Sequence, residues 1–297
     1  MSKPRLTAWL VPLLAFAAIT VLAPGTNKVL AAPGPTIASL RAAGAREVRG
    51  VFVRPPRNSA PGDQPPQVLI ALHGMGGNGM DFGAGLASQA DAQGWFVVAP
   101  TIAYGDWTDP DQIAHEEPAL VAWLSDYISH LSERTGYVVQ PRVLLFGHSR
   151  GAQLALRFTE IHPDQVLGVA AVSAGTYTLP LASDVSGQSL PYPFGIANLA
   201  QTDGGRAFDA NGFESVPIWI GVGAADTNDA DVPDAWDPYI GADRLDRART
   251  FARALQDLGA NVSLVVFPNA DHTLTEEMRS AGCNALVSSS VILGTNG

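Results

Sequence analysis

The chain has 297 residues, with 18 Lys and Arg against 28 Asp and Glu, which gives a formal net charge of −10. This acidic balance argues against nucleic acid or anionic lipid as the main partner, and it disfavours strongly anionic substrates. Hydrophobic residues make up 46% of the chain, enough for a sizeable core in one large domain or two small ones.

The first 31 residues have the layout of a secretory signal. Lys3 and Arg5 form a short basic region, residues 6–23 are almost entirely apolar, and residues 29–31 resemble a small-residue cleavage site. We expect cleavage here, which leaves residues 32–297 as a secreted or periplasmic protein without stable membrane association. The alternative is an uncleaved membrane anchor, since the apolar run approaches the ~18 residues that span a bilayer. In both cases the rest of the chain is expected outside the cytoplasm.

Apolar runs typical of buried strands alternate with amphipathic helical segments along most of the chain. The last predicted helix, at residues 245–258, is expected to place Arg247, Arg249 and Arg253 on its solvent side. The alternation predicts an α/β fold in a single domain, with a mostly parallel, doubly wound sheet flanked by helices. Ligands of such sheets bind at the carboxyl ends of the strands. Strands are predicted at residues 46–54, 68–72, 95–99, 143–146, 166–173, 218–222 and 262–267, and helices at 82–93, 117–133, 152–161 and 245–258.

Two segments fall outside this alternation. Residues 176–215 are rich in Gly, Pro and Asp, and they are predicted to form a long irregular stretch that could act as a small cap. Residues 284–297 are expected to form either a final short strand or a disordered end. Cys283, the only cysteine, excludes an intrachain disulfide, and we expect it to pack as a small apolar residue.

Ser149 lies in the pentapeptide "GHSRG", which follows a predicted strand and precedes a predicted helix. A Gly-x-Ser-x-Gly pentapeptide is weak evidence by itself. In this context, however, Gly147 and Gly151 permit a sharp turn that exposes the serine hydroxyl at the top of the sheet. We therefore predict that Ser149 is a nucleophile, and the alternative is an ordinary helix N-cap.

A serine nucleophile needs a base and a third group that orients the base. Of the six histidines, His272 follows the last predicted strand, whereas the others lie in loops, at helix ends or beside the serine. Asp226 is the first carboxylate after the strand at 218–222 and is the expected acid, with Asp231 as the alternative. The acidic run at 226–237 lacks the glycine and final glutamate of an EF-hand, so we expect a solvated loop and no metal site.

Acyl transfer also needs donors for the oxyanion that forms in the transition state. The expected donors are the backbone N–H groups of Arg150, after the nucleophile, and of Met75, in the glycine loop "HGMGG". Tyr104, Trp107 and Tyr177 are candidate substrate contacts, and the alternative for each is packing in the core.

Taken together, these motifs resemble those of α/β-hydrolases. The segments "HGMGG", "GHSRG", "GAADTN" and "DH" each follow a strand, in the family's order of oxyanion loop, Ser, Asp and His, across residues 46–281. The chain looks most like secreted single-domain esterases of the polyhydroxybutyrate-depolymerase and feruloyl-esterase kind. The resemblance implies an α/β-hydrolase fold and a serine esterase that cleaves small-molecule or polymeric carboxylic esters through a Ser149–His272–Asp226 triad and an acyl-enzyme, without a cofactor. A serine peptidase of the same fold and a non-catalytic binding protein on this fold are the alternatives.

Overall fold

The computed structural model describes residues 47–57, 64–202 and 206–294, and the predicted signal segment lies outside these ranges. Within the described residues, seven strands form one sheet in the order β1-β3-β2-β4-β5-β6-β7. Strand β1 is antiparallel to β3, and all the other neighbours pair in parallel, which confirms the mostly parallel sheet. The strands are β1 (Val48–Arg54), β2 (Val68–Leu72), β3 (Phe96–Ile102), β4 (Val143–His148), β5 (Val166–Val172), β6 (Ile218–Gly223) and β7 (Val262–Phe267).

Helices cover both faces of this sheet. Side chains alternate along β2: Val68, Ile70 and Leu72 pack in one hydrophobic cluster, and Leu69 and Ala71 pack in the other. This burial on both sides explains the continuous apolar runs of the inner strands. The α-helices are α1 (Gly79–Gly85), α2 (Ala87–Gln93), α3 (Pro110–Ser129), α4 (Leu131–Thr135), α5 (Arg150–Ile161), α6 (Leu199–Thr202), α7 (Ala210–Glu214), α8 (Asp237–Ile240), α9 (Arg244–Leu258) and α10 (Glu276–Gly294).

Two of the predicted helices have different limits in the structure. The segment at 82–93 is split between α1 and α2 at Leu86. The helix expected at 117–133 begins earlier, because Asp109 caps it by accepting the Asp111 N–H and Pro110 occupies its first position. It ends at Ser129, and α4 follows.

The C-terminal expectation of a strand or a disordered end is wrong, since α10 runs from Glu276 to Gly294. This helix packs on the sheet face that carries Phe146 and Trp219, and Met278 and Cys283 belong to the same cluster. Cys283 is thus buried as a small apolar residue, as expected. Among the described residues, no helix is long and apolar enough to cross a membrane.

The solvent position expected for Arg247 is also wrong, although Arg249 and Arg253 are exposed. Arg247 is fully buried, and its guanidinium links four residues of the segments that follow β5 and β6. It donates to the carbonyl oxygens of Gly175, Pro233 and Gly241 and to the carboxylate of Asp237.

The segment at 176–215 is irregular, as predicted. In its described part, two isolated β-bridges join Leu179 to Gly195 and Ser183 to Ser189, and the short helices α6 and α7 follow. That this segment acts as a cap stays a prediction.

Candidate active site

Ser149 occupies a sharp turn between β4 and α5, with backbone angles φ 53° and ψ −118°. The turn is tight enough to require its glycines. A Cβ on Gly151 would lie 2.0 Å from the Leu72 carbonyl oxygen, and one on Gly147 would lie 2.3 Å from the Gly151 oxygen. Ser149 holds the N-cap position of α5, yet its side chain makes no capping hydrogen bond. Its hydroxyl is therefore available for another partner.

That partner is His272, which the loop after β7 brings to the serine. His272 Nε2 lies 3.1 Å from Ser149 Oγ, and His272 Nδ1 lies 3.1 Å from Asp226 Oδ2. With its proton on Nδ1, the ring donates to Asp226 and accepts the Ser149 hydroxyl proton at Nε2. Asp226 follows β6, the neighbour of β7. Asp231 is exposed, so the structure brings Asp226 and not Asp231 to the histidine.

Arg244, the first residue of α9, holds the other oxygen of Asp226. Its Nη1 lies 3.2 Å from Asp226 Oδ1, and its Nη2 donates to the Asp231 carbonyl oxygen at 2.6 Å. Burial alone would raise the pKa of the Asp226 carboxyl. The hydrogen bond from His272 and the charge of Arg244 outweigh burial and hold this pKa below its usual value. Asp226 is therefore ionised at neutral pH.

His148, next to the serine in sequence, contacts the histidine loop. Its Nε2 donates to the His272 carbonyl oxygen at 3.0 Å, and the two rings lie 5.2 Å apart. Burial, followed by the nearby His272, lowers the pKa of His148 to about 4. His148 is thus a neutral side chain that links the nucleophile turn to the loop of the base.

The glycine loop crosses directly over the nucleophile. A Cβ on Gly74 would lie 3.2 Å from Ser149 Cβ. His73 Nδ1 donates to the Gly74 carbonyl oxygen at 2.7 Å, and the same oxygen accepts the Gly77 N–H. In a trans peptide the carbonyl and the N–H point in opposite directions. Fixing the Gly74 carbonyl therefore aims the Met75 N–H away from His73.

The side chain of Arg150 enters a buried layer of charges beneath the turn. Its Nη1 donates to Glu117 Oε1 at 2.7 Å, and its Nη2 donates to Glu116 Oε1 at 3.1 Å. Glu117 also accepts from Arg157 at 2.6 Å. Since both glutamates lie on α3, this layer ties that helix to α5 and to the turn that carries Ser149.

Two cavities open at Ser149 and His272. The larger, of about 700 Å³, is lined by the glycine loop, α1 and the segment after His272. The smaller, of about 270 Å³, lies towards α9 and includes Trp107 in its wall. Met75 lines both cavities, and its role as an oxyanion donor stays a prediction.

Tyr104 and Tyr177, two of the three predicted substrate contacts, line neither cavity. The ring of Tyr104 packs against the Arg150 guanidinium, 5.3 Å from the ring centroid. Tyr177 is almost fully buried and stacks on Phe251 at 4.6 Å. Their place is the core, which was the alternative considered from the sequence. In the part of the chain that is described, no cluster of His, Cys, Asp and Glu is arranged to hold a metal ion.

His148, Arg244 and the Arg150 side chain are site features that the sequence predictions missed. His148 lies beside the serine in sequence, and its contact with the His272 carbonyl depends on the fold of the loop after β7. The pairing of Arg244 with Asp226 carries no sequence signal, because the two residues are joined only through the packing of α9 beside β6.

Neither a protein-family model nor a curated protein matches this sequence. Solved structures do match. The poly(3-hydroxybutyrate) depolymerase LpqC from Bordetella parapertussis is 21% identical, with a TM-score of 0.59 over 83% of this chain and 85% of that chain. Poly(aspartic acid) hydrolase-1 from Sphingomonas sp. KT-1 is 21% identical, with a TM-score of 0.58 over 82% and 92%. Esterase PE8 is 18% identical, with a TM-score of 0.52 over 82% and 99%.

At these identities the similarity shows the fold. The chain has the α/β-hydrolase fold, with the seven-stranded, mostly parallel sheet flanked by helices that the sequence predicts. A depolymerase and an esterase, the kinds of protein that the sequence motifs resemble, are among these similar solved structures, together with a poly(aspartic acid) hydrolase.

Proposed function

We propose that this α/β-hydrolase-fold protein is an exported serine hydrolase that cleaves carboxylic ester bonds through an acyl-enzyme intermediate. One observation carries the proposal: two hydrogen-bonding distances of 3.1 Å link Ser149 Oγ through His272 to Asp226. This arrangement supplies a nucleophile, a base and an orienting acid at the carboxyl ends of three parallel strands.

In the first step, His272 Nε2 takes the hydroxyl proton as Ser149 Oγ attacks the ester carbonyl carbon. The carbonyl oxygen becomes an oxyanion, and the N–H groups of Met75 and Arg150 stabilise it by about 3 kcal/mol each. The ionised Asp226 stabilises the imidazolium that forms on His272. When the tetrahedral intermediate collapses, the carbon–oxygen bond to the alcohol breaks and His272 returns its proton to the departing alcohol.

The second step repeats this chemistry with water. His272 removes a proton from a water molecule, whose oxygen attacks the acyl carbon attached to Ser149. Collapse of the second tetrahedral intermediate releases the carboxylic acid and returns the proton to Ser149 Oγ. The substrate is a small-molecule or polymeric ester. The open 700 Å³ cavity beside the serine and the similarity to a depolymerase and an esterase support this class.

Labelling with a fluorophosphonate probe tests the nucleophile. Wild type is expected to label and to hydrolyse p-nitrophenyl butanoate, whereas Ser149→Ala loses both, with kcat reduced by about 10⁴-fold or more. Ser132→Ala, a change at an exposed serine of α4, is the matched control and should behave as wild type.

Equal labelling of wild type and Ser149→Ala would remove Ser149 from its proposed role. Cleavage of aminoacyl-anilides together with inert p-nitrophenyl esters would favour a serine peptidase. A protein that neither labels nor turns over any ester would favour a binding function.

A further inference from the structure

The wall of the smaller cavity beside Ser149 includes an amide nitrogen that donates to none of the described residues. Gln153, on the first turns of α5, is only 5% exposed. Its Oε1 accepts hydrogen bonds from Arg150 Nη1 and Thr176 Oγ1, both at 2.8 Å. Because a guanidinium can only donate, the amide must present its oxygen to Arg150. Its Nε2 therefore faces the other way, and none of the described residues accepts a hydrogen bond from it.

A second donor lies close to this amide. Arg244 uses its two terminal nitrogens on Asp226 and on the Asp231 carbonyl, but within the described chain its buried Nε has no partner. Both donors meet at Gly175. A Cβ on this glycine would lie 3.1 Å from Gln153 Nε2 and 3.7 Å from Arg244 Nε. All three residues line the cavity, so the missing side chain leaves space where the two donors converge.

Such a pair of donors indicates a ligand with an acceptor atom. In the described part of the chain, the buried Arg244 Nε has no acceptor, which costs about 1–3 kcal/mol, and native proteins leave few such groups. Gln153 Nε2 is open to the cavity, so an acceptor atom placed there can reach it. Arg247 holds the backbone of the cavity wall in place, since it binds the carbonyl oxygens of Gly175 and Pro233, which both line the cavity. The space beside the two donors therefore has a fixed shape.

The charges around the cavity decide what kind of acceptor fits. Arg244 is neutralised by Asp226, and Arg150 is neutralised by Glu116 and Glu117. The exposed Asp231 also lines the cavity. With no uncompensated positive charge at these donors, a carboxylate would meet net repulsion. A neutral oxygen would gain the hydrogen bonds without this cost.

We propose that the smaller cavity is a subsite for a neutral acceptor oxygen, such as an ether, ketone or second ester oxygen, placed a few bonds from the scissile carbonyl. This assignment rests on the proposed esterase function. The volume of about 270 Å³ suits a short chain of this kind, and the half-buried Trp107 supplies an apolar wall for its carbon atoms.

Pairs of esters that differ by one oxygen test the subsite. In the acyl arm, p-nitrophenyl methoxyacetate replaces one CH₂ of p-nitrophenyl butanoate with oxygen. In the alcohol arm, 2-methoxyethyl butanoate does the same for butyl butanoate. Each kcat/KM is divided by the rate constant for hydroxide-catalysed hydrolysis, which removes the difference in intrinsic reactivity. In one of the two arms we expect the corrected kcat/KM to be about tenfold higher for the ether ester than for its carbon analogue. A preference in the acyl arm places the acyl group in the cavity, and a preference in the alcohol arm places the alcohol group there.

Two variants remove the donors in different ways. Gly175→Ala places a methyl group between them, and Gln153→Glu keeps the oxygens that Arg150 and Thr176 need while replacing the donor nitrogen with an acceptor. Both are expected to abolish the corrected preference. Gly50→Ala is the matched control, because a Cβ there meets no atom within 4 Å, and it should keep the preference. Thermal melting of each variant identifies any that fails to fold.

Each outcome has a separate meaning. Equal corrected rates for both members of each pair, in an enzyme that hydrolyses all four esters, overturn the subsite and leave the esterase proposal standing. A preference that survives in both folded variants also overturns the subsite. If wild type hydrolyses none of the esters, the proposed function fails and the subsite fails with it.

Discussion

Arg244 contacts the carboxylate oxygen of Asp226 that His272 does not contact, and this makes it a positioning residue. One guanidinium binds both Asp226 and the backbone of the acidic loop at Asp231. It therefore fixes the carboxylate in space and keeps it charged. The pKa of Asp226 lies below its usual value although burial acts in the opposite direction. The hydrogen bond from His272 and the charge of Arg244 therefore favour the ionised carboxylate.

Replacing Arg244 should shift the pH dependence of catalysis. In Arg244→Met the carboxyl keeps its burial but loses the cation, so the pKa of Asp226 rises. Loss of the cation favours a proton on the Asp226–His272 pair, and His272 must be unprotonated at Nε2 to act as the base, so activity is lost at a higher pH as the solution is acidified. We expect the acid limb of the kcat/KM profile to move upward by about one pH unit or more.

A pH profile of kcat/KM for p-nitrophenyl butanoate measures this shift. Arg253→Met, on the exposed side of the same helix, should leave the acid limb in place. An unchanged limb in Arg244→Met, with the fold intact, would contradict an electrostatic role for Arg244 at the Asp226–His272 pair.

At the scale of elements, helices α3 and α5 pack together through charges as well as apolar side chains. Glu117 lies between Arg150 and Arg157, and all three side chains are almost fully buried. Arg157 also donates to Thr176 and Thr178, so the same layer reaches the start of the irregular segment. Buried ion pairs of this kind are costly to break from one side, because the remaining charge has no partner.

Removing the shared carboxylate should therefore destabilise the fold. Glu117→Leu leaves two buried guanidinium groups without their common partner, and we expect the free energy of unfolding to fall by about 3 kcal/mol or more. Denaturation in urea, followed by circular dichroism, measures the loss. Glu133→Leu, at an exposed position of α4, should change the same quantity by less than about 0.5 kcal/mol. Similar small effects in both variants would show that the layer does not stabilise the packing of α3 on α5.

Sequence patterns predicted the strands and the residues that follow them, because a buried strand needs a continuous apolar run and its end needs a turn. Ser149, Asp226 and His272 were all found in this way, and the structure brings them together. Burial of charge was not predictable by the same means. Arg247 lies at a position expected on the solvent-exposed face of its helix. The carbonyl oxygens that bind it come from loops that approach it only in the folded protein.

The limits of the helices were the second feature that the sequence patterns did not predict correctly. The predicted helix began at Glu117, whereas the helix in the structure begins at Pro110 and buries Glu117 in its middle. The C-terminal segment mixes small polar and apolar residues, and it forms a helix because the sheet face offers Phe146 and Trp219 as a surface.

For the molecule as a whole, one buried carboxyl group links stability to pH. Glu160 on α5 is 1% exposed, and among the described residues neither of its oxygens has a hydrogen-bond partner. Burial raises its pKa well above the usual value, with Arg157 acting in the opposite direction. The folded protein therefore keeps the Glu160 proton to a higher pH than the unfolded chain does.

The sign of the effect follows from this difference in bound protons. The contribution of Glu160 to the free energy of unfolding is largest at pH values below the pKa of this group in the unfolded chain. It falls as the pH rises towards the pKa of Glu160 in the folded protein, by up to about 1.4 kcal/mol per pH unit. Glu160→Met removes this loss without breaking a hydrogen bond. We expect the variant to be more stable than wild type at pH 7 and to lose most of this advantage near pH 4.

Urea denaturation of both proteins across that pH range measures the difference. Glu214→Met, at a half-buried end of α7, is a control that should show no comparable pH dependence. A constant difference between wild type and Glu160→Met at all pH values would mean that Glu160 has the same proton occupancy in both states.

The single cysteine has a practical consequence. Cys283 lies beneath α10 against the sheet, and burial raises the pKa of its thiol to about 12. In the native protein this sulfur is inaccessible and protonated, so it does not compete for thiol reagents. A cysteine introduced at any exposed position would then be the sole reactive thiol, and a fluorophore or spin label could be attached there without altering the native sequence elsewhere. Movements of the loops around Ser149 are in this way open to direct spectroscopy.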